Sequence, residues 1–192
     1  MRHPPILAAT AAAAASLALA APLAAQDNGD RAVDTENFLV IGTVPALCSV
    51  GIPDNTGGVF DMGVLVDTTT GLLRTDLAAP DKTLAGAFCS SRSTVVIQAT
   101  PMLALNFTGT PPAGFSGAVD YVATASGWTI VPARFNTAAS SNPAATQVRD
   151  TAFTGDIRVG VSDFATAEGA SLRPVADEQY RGEITVTLTA AE

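Results

Sequence analysis

Past residue 25 the chain is written in short runs of apolar and β-branched residues, each closed off by Gly, Pro, Asp, Asn or Thr. Runs of that kind, bounded by turn formers, are the mark of β-strands. No stretch sustains the 3.6-residue apolar period of an amphipathic helix. The pattern predicts strands over 38–44, 59–66, 82–89, 94–100, 104–107, 118–123, 128–131, 156–161 and 183–189. The last is the clearest. Ile184, Val186 and Leu188 fall on one face and Thr185, Thr187 and Thr189 on the other, as in a half-buried strand that lends one face to the core. Tyr121 and Trp128 lie inside strand-like runs and read as core aromatics rather than a ligand platform. The small and polar segments 137–147 and 165–170 read as loops, too short to separate one core from another. Many short strands around one core imply an all-β sandwich or barrel.

The beginning of the chain has a different pattern. Arg2 and His3 precede an alanine-rich apolar stretch over 6–21, which Pro22 interrupts, and Leu23-Ala24-Ala25 then offers small residues. The stretch is short for a spanning helix, and the polar run Gln26-Asp27-Asn28-Gly29-Asp30-Arg31 follows it directly. This is the layout of a signal peptide over 1–25, cleaved after Ala25, and it predicts a secreted or periplasmic protein with no stable membrane insertion. Residues 26–47 then form an N-terminal extension with a first strand, ahead of a single domain over 48–192.

Export changes the reading of Cys48 and Cys89, the two cysteines of the chain. In an oxidising compartment an isolated pair is expected to form a disulfide. Closing a loop of this length is worth about 4 kcal/mol in the chain-entropy account. Zinc would want more ligands at closer spacing, and a redox pair is more often separated by two residues.

Charge and composition remove other classes. Acids number 18 against 10 Lys and Arg, a balance that disfavours nucleic acid and anionic lipid. His3 is the sole histidine, so a chain cleaved after Ala25 has none for a catalytic triad, a histidine base or a His-ligated metal site. No catalytic residue, metal ligand or cofactor is assigned, and the chain is not expected to be an enzyme. Gly114-Phe115-Ser116-Gly117 has its second glycine one position early for a nucleophile elbow. Asp27-Asn28-Gly29-Asp30 lacks the twelve-residue frame of a calcium loop. Asn106-Phe107-Thr108 is a glycosylation sequon, meaningful only in a host that modifies it.

One resemblance runs along most of the chain. The strand-like run from Phe38 through Val40, Gly42 and Val44 into Cys48 is similar to the opening of spore coat protein U-like domains, which resemble chaperone–usher pilin subunits. Phe60-Asp61-Met62-Gly63 stands where that family has an apolar-Asp-Phe-Gly segment, with Met62 for the usual Phe. Val119-Asp120-Tyr121-Val122 with Trp128 resembles its tyrosine-bearing strand and following tryptophan. Tyr180-Arg181-Gly182-Glu183 resembles the approach to its terminal strand, although Glu178 replaces the glycine before the tyrosine and no terminal aromatic follows.

The resemblance implies an immunoglobulin-like, pilin-like β-sandwich that lacks one strand. It also implies partners: a periplasmic chaperone and usher, then other pilin-like subunits, assembling a surface fibre or coat by donor-strand exchange. Phe38, Val40, Gly42 and Val44 would be the donor face. A self-complete β-sandwich that binds a carbohydrate or acts as an adhesin is the alternative, with two Tyr and one Trp as a thin supply of stacking rings.

Overall fold

The computed structural model describes residues 35–54 and 57–191. The expected leader, its cleavage point and Asp27 to Asp30 lie outside the described residues. The chain divides into two units, Met1–Gly42 and Thr43–Glu192. Of the first, residues 35–42 are described: they are exposed and form no strand.

The structure is nearly all-β. Its strands are β1 (Cys48–Ser49), β2 (Ile52–Pro53), β3 (Lys82–Cys89), β4 (Ser93–Ala99), β5 (Met102–Ala104), β6 (Phe115–Ser116), β7 (Ala118–Ser126), β8 (Ala133–Asn136), β9 (Thr146–Arg149), β10 (Phe153–Thr166), β11 (Arg173–Pro174), β12 (Tyr180–Arg181) and β13 (Ile184–Ala190). The larger sheet has the order β1-β3-β10-β7-β5-β12, with β2 also on β3 and β8 also on β7. A second sheet has the order β13-β4-β9, and β6 pairs with β11 in a parallel two-stranded piece.

Side chains from both main sheets fill the core. The larger sheet sends in Ala87 and Cys89 from β3, Tyr121, Ala123 and Ala125 from β7, and Ile157 and Val159 from β10. The smaller sheet sends in Val95 and Ile97 from β4, both fully buried. Sealing an aliphatic side chain of this size contributes about 1.5–3 kcal/mol. Trp128, fully buried, donates its indole N–H to Ser93 Oγ at 3.1 Å and meets Phe153 edge-on at 5.1 Å. Arg149 covers the other side of that cluster, 3.5 Å from the Phe153 ring centroid, and donates from Nη1 to the Trp128 carbonyl at 2.7 Å. The tryptophan therefore has its one donor satisfied in an apolar layer.

The alternation predicted β3 with the same bounds, and β4, β7, β10 and β13 in place but with shifted ends. Four expected strands are corrected. Residues 38–44 are not a strand, because no described strand lends them an edge, and a lone extended segment leaves its backbone to water. Residues 59–66 contain only the isolated bridge Val66↔Leu73. There Asp61 accepts the Gly63 N–H at 2.9 Å, a local turn that competes with the ladder. Residues 128–131 are the turn between β7 and β8, tied by Thr129 Oγ donating to the Val131 carbonyl at 2.7 Å. Strand β5 ends at Ala104, and the 105–107 stretch leaves it because the Asp177 carboxylate takes the amides of Asn106 and Phe107. The expected loop 137–147 ends in β9, which the alternation did not single out.

Gly51 permits the kink between β1 and β2. Its φ is +87°, and a Cβ there would lie 2.5 Å from the Ala85 carbonyl oxygen, so only glycine lets both short strands lie on β3.

Candidate functional site

Among the described residues strand β13 is paired on one side only. It pairs with β4 in antiparallel register from Ile184↔Ala99 to Ala190↔Ser93. Thr100 donates its N–H to the Glu183 carbonyl, and Ala191 to the Arg92 carbonyl. These two bonds set the phase of the ladder. Residues 183, 185, 187, 189 and 191 turn their N–H and C=O groups toward β4, and Ile184, Val186, Leu188 and Ala190 turn theirs away. Among the described residues no strand pairs with that outward row. Of these, Ile184, Val186 and Leu188 carry the apolar face, half-buried and packed against the core.

Beside that edge lies a cavity of about 810 Å³. Ile184 and Val186 line it together with Leu84, Val159 and Val161, and so do Tyr121, Phe164 and Met102. Its rim carries Lys82, Glu178, Arg181 and Glu183, and Val59 and Phe60 close it from the segment that follows β2. Lys82 Nζ stands 5.8 Å over the Phe60 ring. Leu188 and Ala190 do not line the cavity, so its room is at the Ile184 end of the edge.

Two features shape the interior. A bulge breaks the β10–β7 register between Ser162 and Ala165, with Asp163 at φ +54°. An extra residue there shifts the inward face from the odd to the even positions, which turns Phe164 onto Tyr121 with ring centroids 5.8 Å apart. Gly182, just before β13, sits where a Cβ would be 2.7 Å from the Thr100 carbonyl oxygen, so its lack of a side chain lets β13 approach β4 closely.

The electrostatics are those of an apolar site with a polar rim. Burial pushes the Tyr121 hydroxyl up to about 12, and it donates a long bond, 3.4 Å, to the Glu183 carbonyl. Tyr180 is raised by burial and by the nearby Asp177 charge, and it donates to the Val175 carbonyl at 2.9 Å. Asp177 itself is held low, chiefly by the Gln179 backbone N–H and also by Asn106 and Phe107. Neither tyrosine is set up to be a proton donor or acceptor near neutrality.

The predicted site residues fall into three groups. Cys48 and Cys89 face each other in the β1–β3 register and are joined as the disulfide. Ile184, Val186 and Leu188 share the inward face of β13 and flank the cavity or the edge beside it. Phe38, Val40 and Val44 are exposed, at 89%, 92% and 83% respectively, and Gly42 is exposed with them.

The chemical motifs set aside on sequence grounds have structural roles here. Ser116 is buried, with its hydroxyl donating to the Ala118 carbonyl and accepting from the Ala118 N–H, both at 3.2 Å. The Asn106 amide donates to Asp177 Oδ1 at 3.0 Å. Among the described residues no group of three His, Cys, Asp or Glu side chains gathers to hold a metal ion, and no helix is long and apolar enough to cross a membrane.

Sequence pattern does not single out Phe60, Met102 or Phe164 as site residues. Phe164 is unreadable without the bulge. Phe60 lies in a stretch whose strand prediction fails, and Met102 in a three-residue strand too short to show a period. Compared with known proteins, the chain matches no family model, no curated protein and no solved structure.

Proposed function

We propose that this protein is an exported structural subunit, an immunoglobulin-like β-sandwich short of one strand, that assembles by accepting a strand from a partner into the groove beside β13. The observation that carries the reading is the coincidence on one strand edge of backbone groups that no strand among the described residues pairs with and inward apolar side chains at Ile184, Val186 and Leu188. An added strand would satisfy the first and cover the second in one step, which is the energetic basis of β-strand addition. The two facing sheets, the disulfide that anchors β1 beside β3 and the alternating segment carrying Phe38, Val40, Gly42 and Val44 are all consistent with it. The donor is a neighbouring subunit, delivered through a chaperone and usher, and the product is a surface fibre or coat.

The test is the size distribution of the purified chain, with and without a truncated form lacking residues 26–40, after expression with a chaperone and usher. Oligomers that the truncated form caps, together with a raised melting temperature of that form on adding a peptide spanning residues 31–44, are the expected result, since a ligand that binds only the folded state stabilises it. A chain that stays monomeric and a truncated form indifferent to the peptide would return the protein to the alternative, a self-complete binding module.

A further inference from the structure

The outer side of the smaller sheet has no part in the strand-accepting groove. Inward and outward positions alternate along β4, β9 and β13, and the register lines the outward ones up across the three strands. Thr189 lies beside Thr94 and Thr94 beside Val148, and in the next row Thr187 lies beside Val96 and Val96 beside Thr146. Thr94 and Val96 are half-buried between their neighbours, and the other four are exposed. The pair that follows, Thr185 with Gln98, keeps the surface uncharged. All of it lies within the second unit. The outer side of the larger sheet is different: Arg134 and Asp163 form an exposed pair there at 3.4 Å, and Arg158, between the inward Ile157 and Val159, is exposed on the same side.

We infer that the uncharged face is a contact between copies of the chain, packed against the same face of a second copy about a two-fold axis. The contact is distinct from strand exchange, because a strand is accepted at the β13 edge and on the inward side, whereas Thr185, Thr187 and Thr189 point the other way. Charge selects the occupant. Acids outnumber Lys and Arg by 18 to 10, so two copies repel each other in most orientations, and an uncharged face is where they approach at least cost. Depletion of charge is also what sets the centre of a protein–protein contact apart from the rest of a surface.

The hydrogen bonding is self-complementary as well. A threonine hydroxyl both donates and accepts, so threonine can meet threonine across a two-fold axis where an array of pure donors could not. Val96, in the middle strand, supplies an apolar centre, and two twisted sheets pack face to face at about 30° with about 10 Å between them. A small ligand would want a concave, ring-lined site, and no aromatic residue stands among the outward positions of these three strands.

Size sets the strength. Strands of seven, seven and four residues, at about 3.4 Å per residue and about 4.8 Å apart, cover roughly 300 Å² on each copy. Two such faces bury about half of what a stable dimer needs, so a single pair of subunits is held weakly. In the assembly proposed above the face recurs on every subunit, and repetition turns weak contacts into firm ones, so fibres would adhere side by side. An accepted strand would also add a fourth strand to this sheet beside β13 and widen the face.

The test places one reporter cysteine in the full chain, Val96→Cys on the face or Arg158→Cys on the outer side of the larger sheet, with the native pair Cys48 and Cys89 already joined. Each variant is oxidised mildly at about 1 mM protein, where a weak contact is populated, and its rate is normalised to the reactivity of its thiol toward a small disulfide. Cross-linking between copies should be faster at position 96 than at 158 by about tenfold or more, and Thr187→Asp added to Val96→Cys should slow it by about as much, since like charges then meet across the axis. Added salt should speed it, because the acidic bodies are screened.

Thr187→Asp leaves the groove untouched, so the oligomer sizes produced by strand exchange should not move. Equal rates at 96 and 158, or a rate at 96 indifferent to Thr187→Asp, would overturn the lateral face whether or not the chain forms oligomers. The cross-link at 96 in a chain that stays monomeric by size at micromolar concentration with a chaperone and usher would support the lateral face and overturn strand exchange.

Discussion

Strands β4 and β13 lie side by side in one sheet, and each turns alternate side chains toward the core, yet they differ in what surrounds them. Strand β4 is paired on both edges, with β13 and β9, and its inward residues Ser93, Val95 and Ile97 are sealed completely. Strand β13 is paired on one edge, and its inward residues Ile184, Val186 and Leu188 remain half-exposed. The alternation decides which face points in. Whether that face is closed depends on a second neighbour, which β4 has and β13 lacks among the described residues.

The largest separation between the two strands should come from truncation. Ile97→Ala is expected to cost about 2–5 kcal/mol in urea unfolding, as for a sealed aliphatic side chain that leaves a void. Val186→Ala should cost well under half of that, since its side chain already has open space beside it. Equal losses would mean that β13 is as closed as β4.

The tyrosine that lines the groove supplies a pH test. Tyr121 is only 4% exposed, and burial raises its hydroxyl to about 12 from an ordinary value of 10.0. The folded value lies above the unfolded one. The neutral phenol therefore stabilises the fold fully below about pH 10, and that contribution is lost as pH climbs from 10 toward 12. At 1.36 kcal/mol for each pH unit, the loss is about 2–3 kcal/mol. Tyr121→Phe should flatten this stretch of the stability curve between about pH 9 and 11.5, and an unchanged slope would show that the ring is open to water.

Removing one buried partner from the closed side comes next. Ser93→Ala would leave the Trp128 indole N–H without its acceptor in an apolar layer, at a cost of about 1–3 kcal/mol, read by chemical unfolding followed through tryptophan fluorescence. The smallest effects belong to the open side. Val186→Asp should cost about 1–2 kcal/mol in the free monomer, because the carboxylate can keep some of its water, while Thr187→Asp on the outer face should stay within about 0.5 kcal/mol. Adding the peptide spanning residues 31–44 sharpens the comparison. If the groove accepts it, Val186→Asp should weaken the peptide's stabilising effect and Thr187→Asp should not.

Several elements of this architecture were legible in the residues. The alternation in 183–189 marked the terminal strand and its inward face. The pattern from Lys82 to Cys89 marked a strand with its bounds, and the isolated pair Cys48 and Cys89 marked the disulfide. These features are local or need only two residues and a compartment, so they survive without knowledge of the neighbours. The all-β class followed from the same short-range patterning.

Other features depended on partners distant in sequence. The apolar, β-branched run over 38–44 reads as a strand from its residues, but a strand exists only where an edge pairs with it. The cavity joins residues from β3, β5, β7, β10 and β13, and Phe164 enters it only through a bulge that shifts the face of β10. Sequence by itself determined the strand periods, the inward faces and the cysteine pair, because side-chain alternation is built into an extended backbone. Only the tertiary structure decided which edge stays open, since that depends on what lies beside a strand in space, and neither periodicity nor composition encodes an absent neighbour.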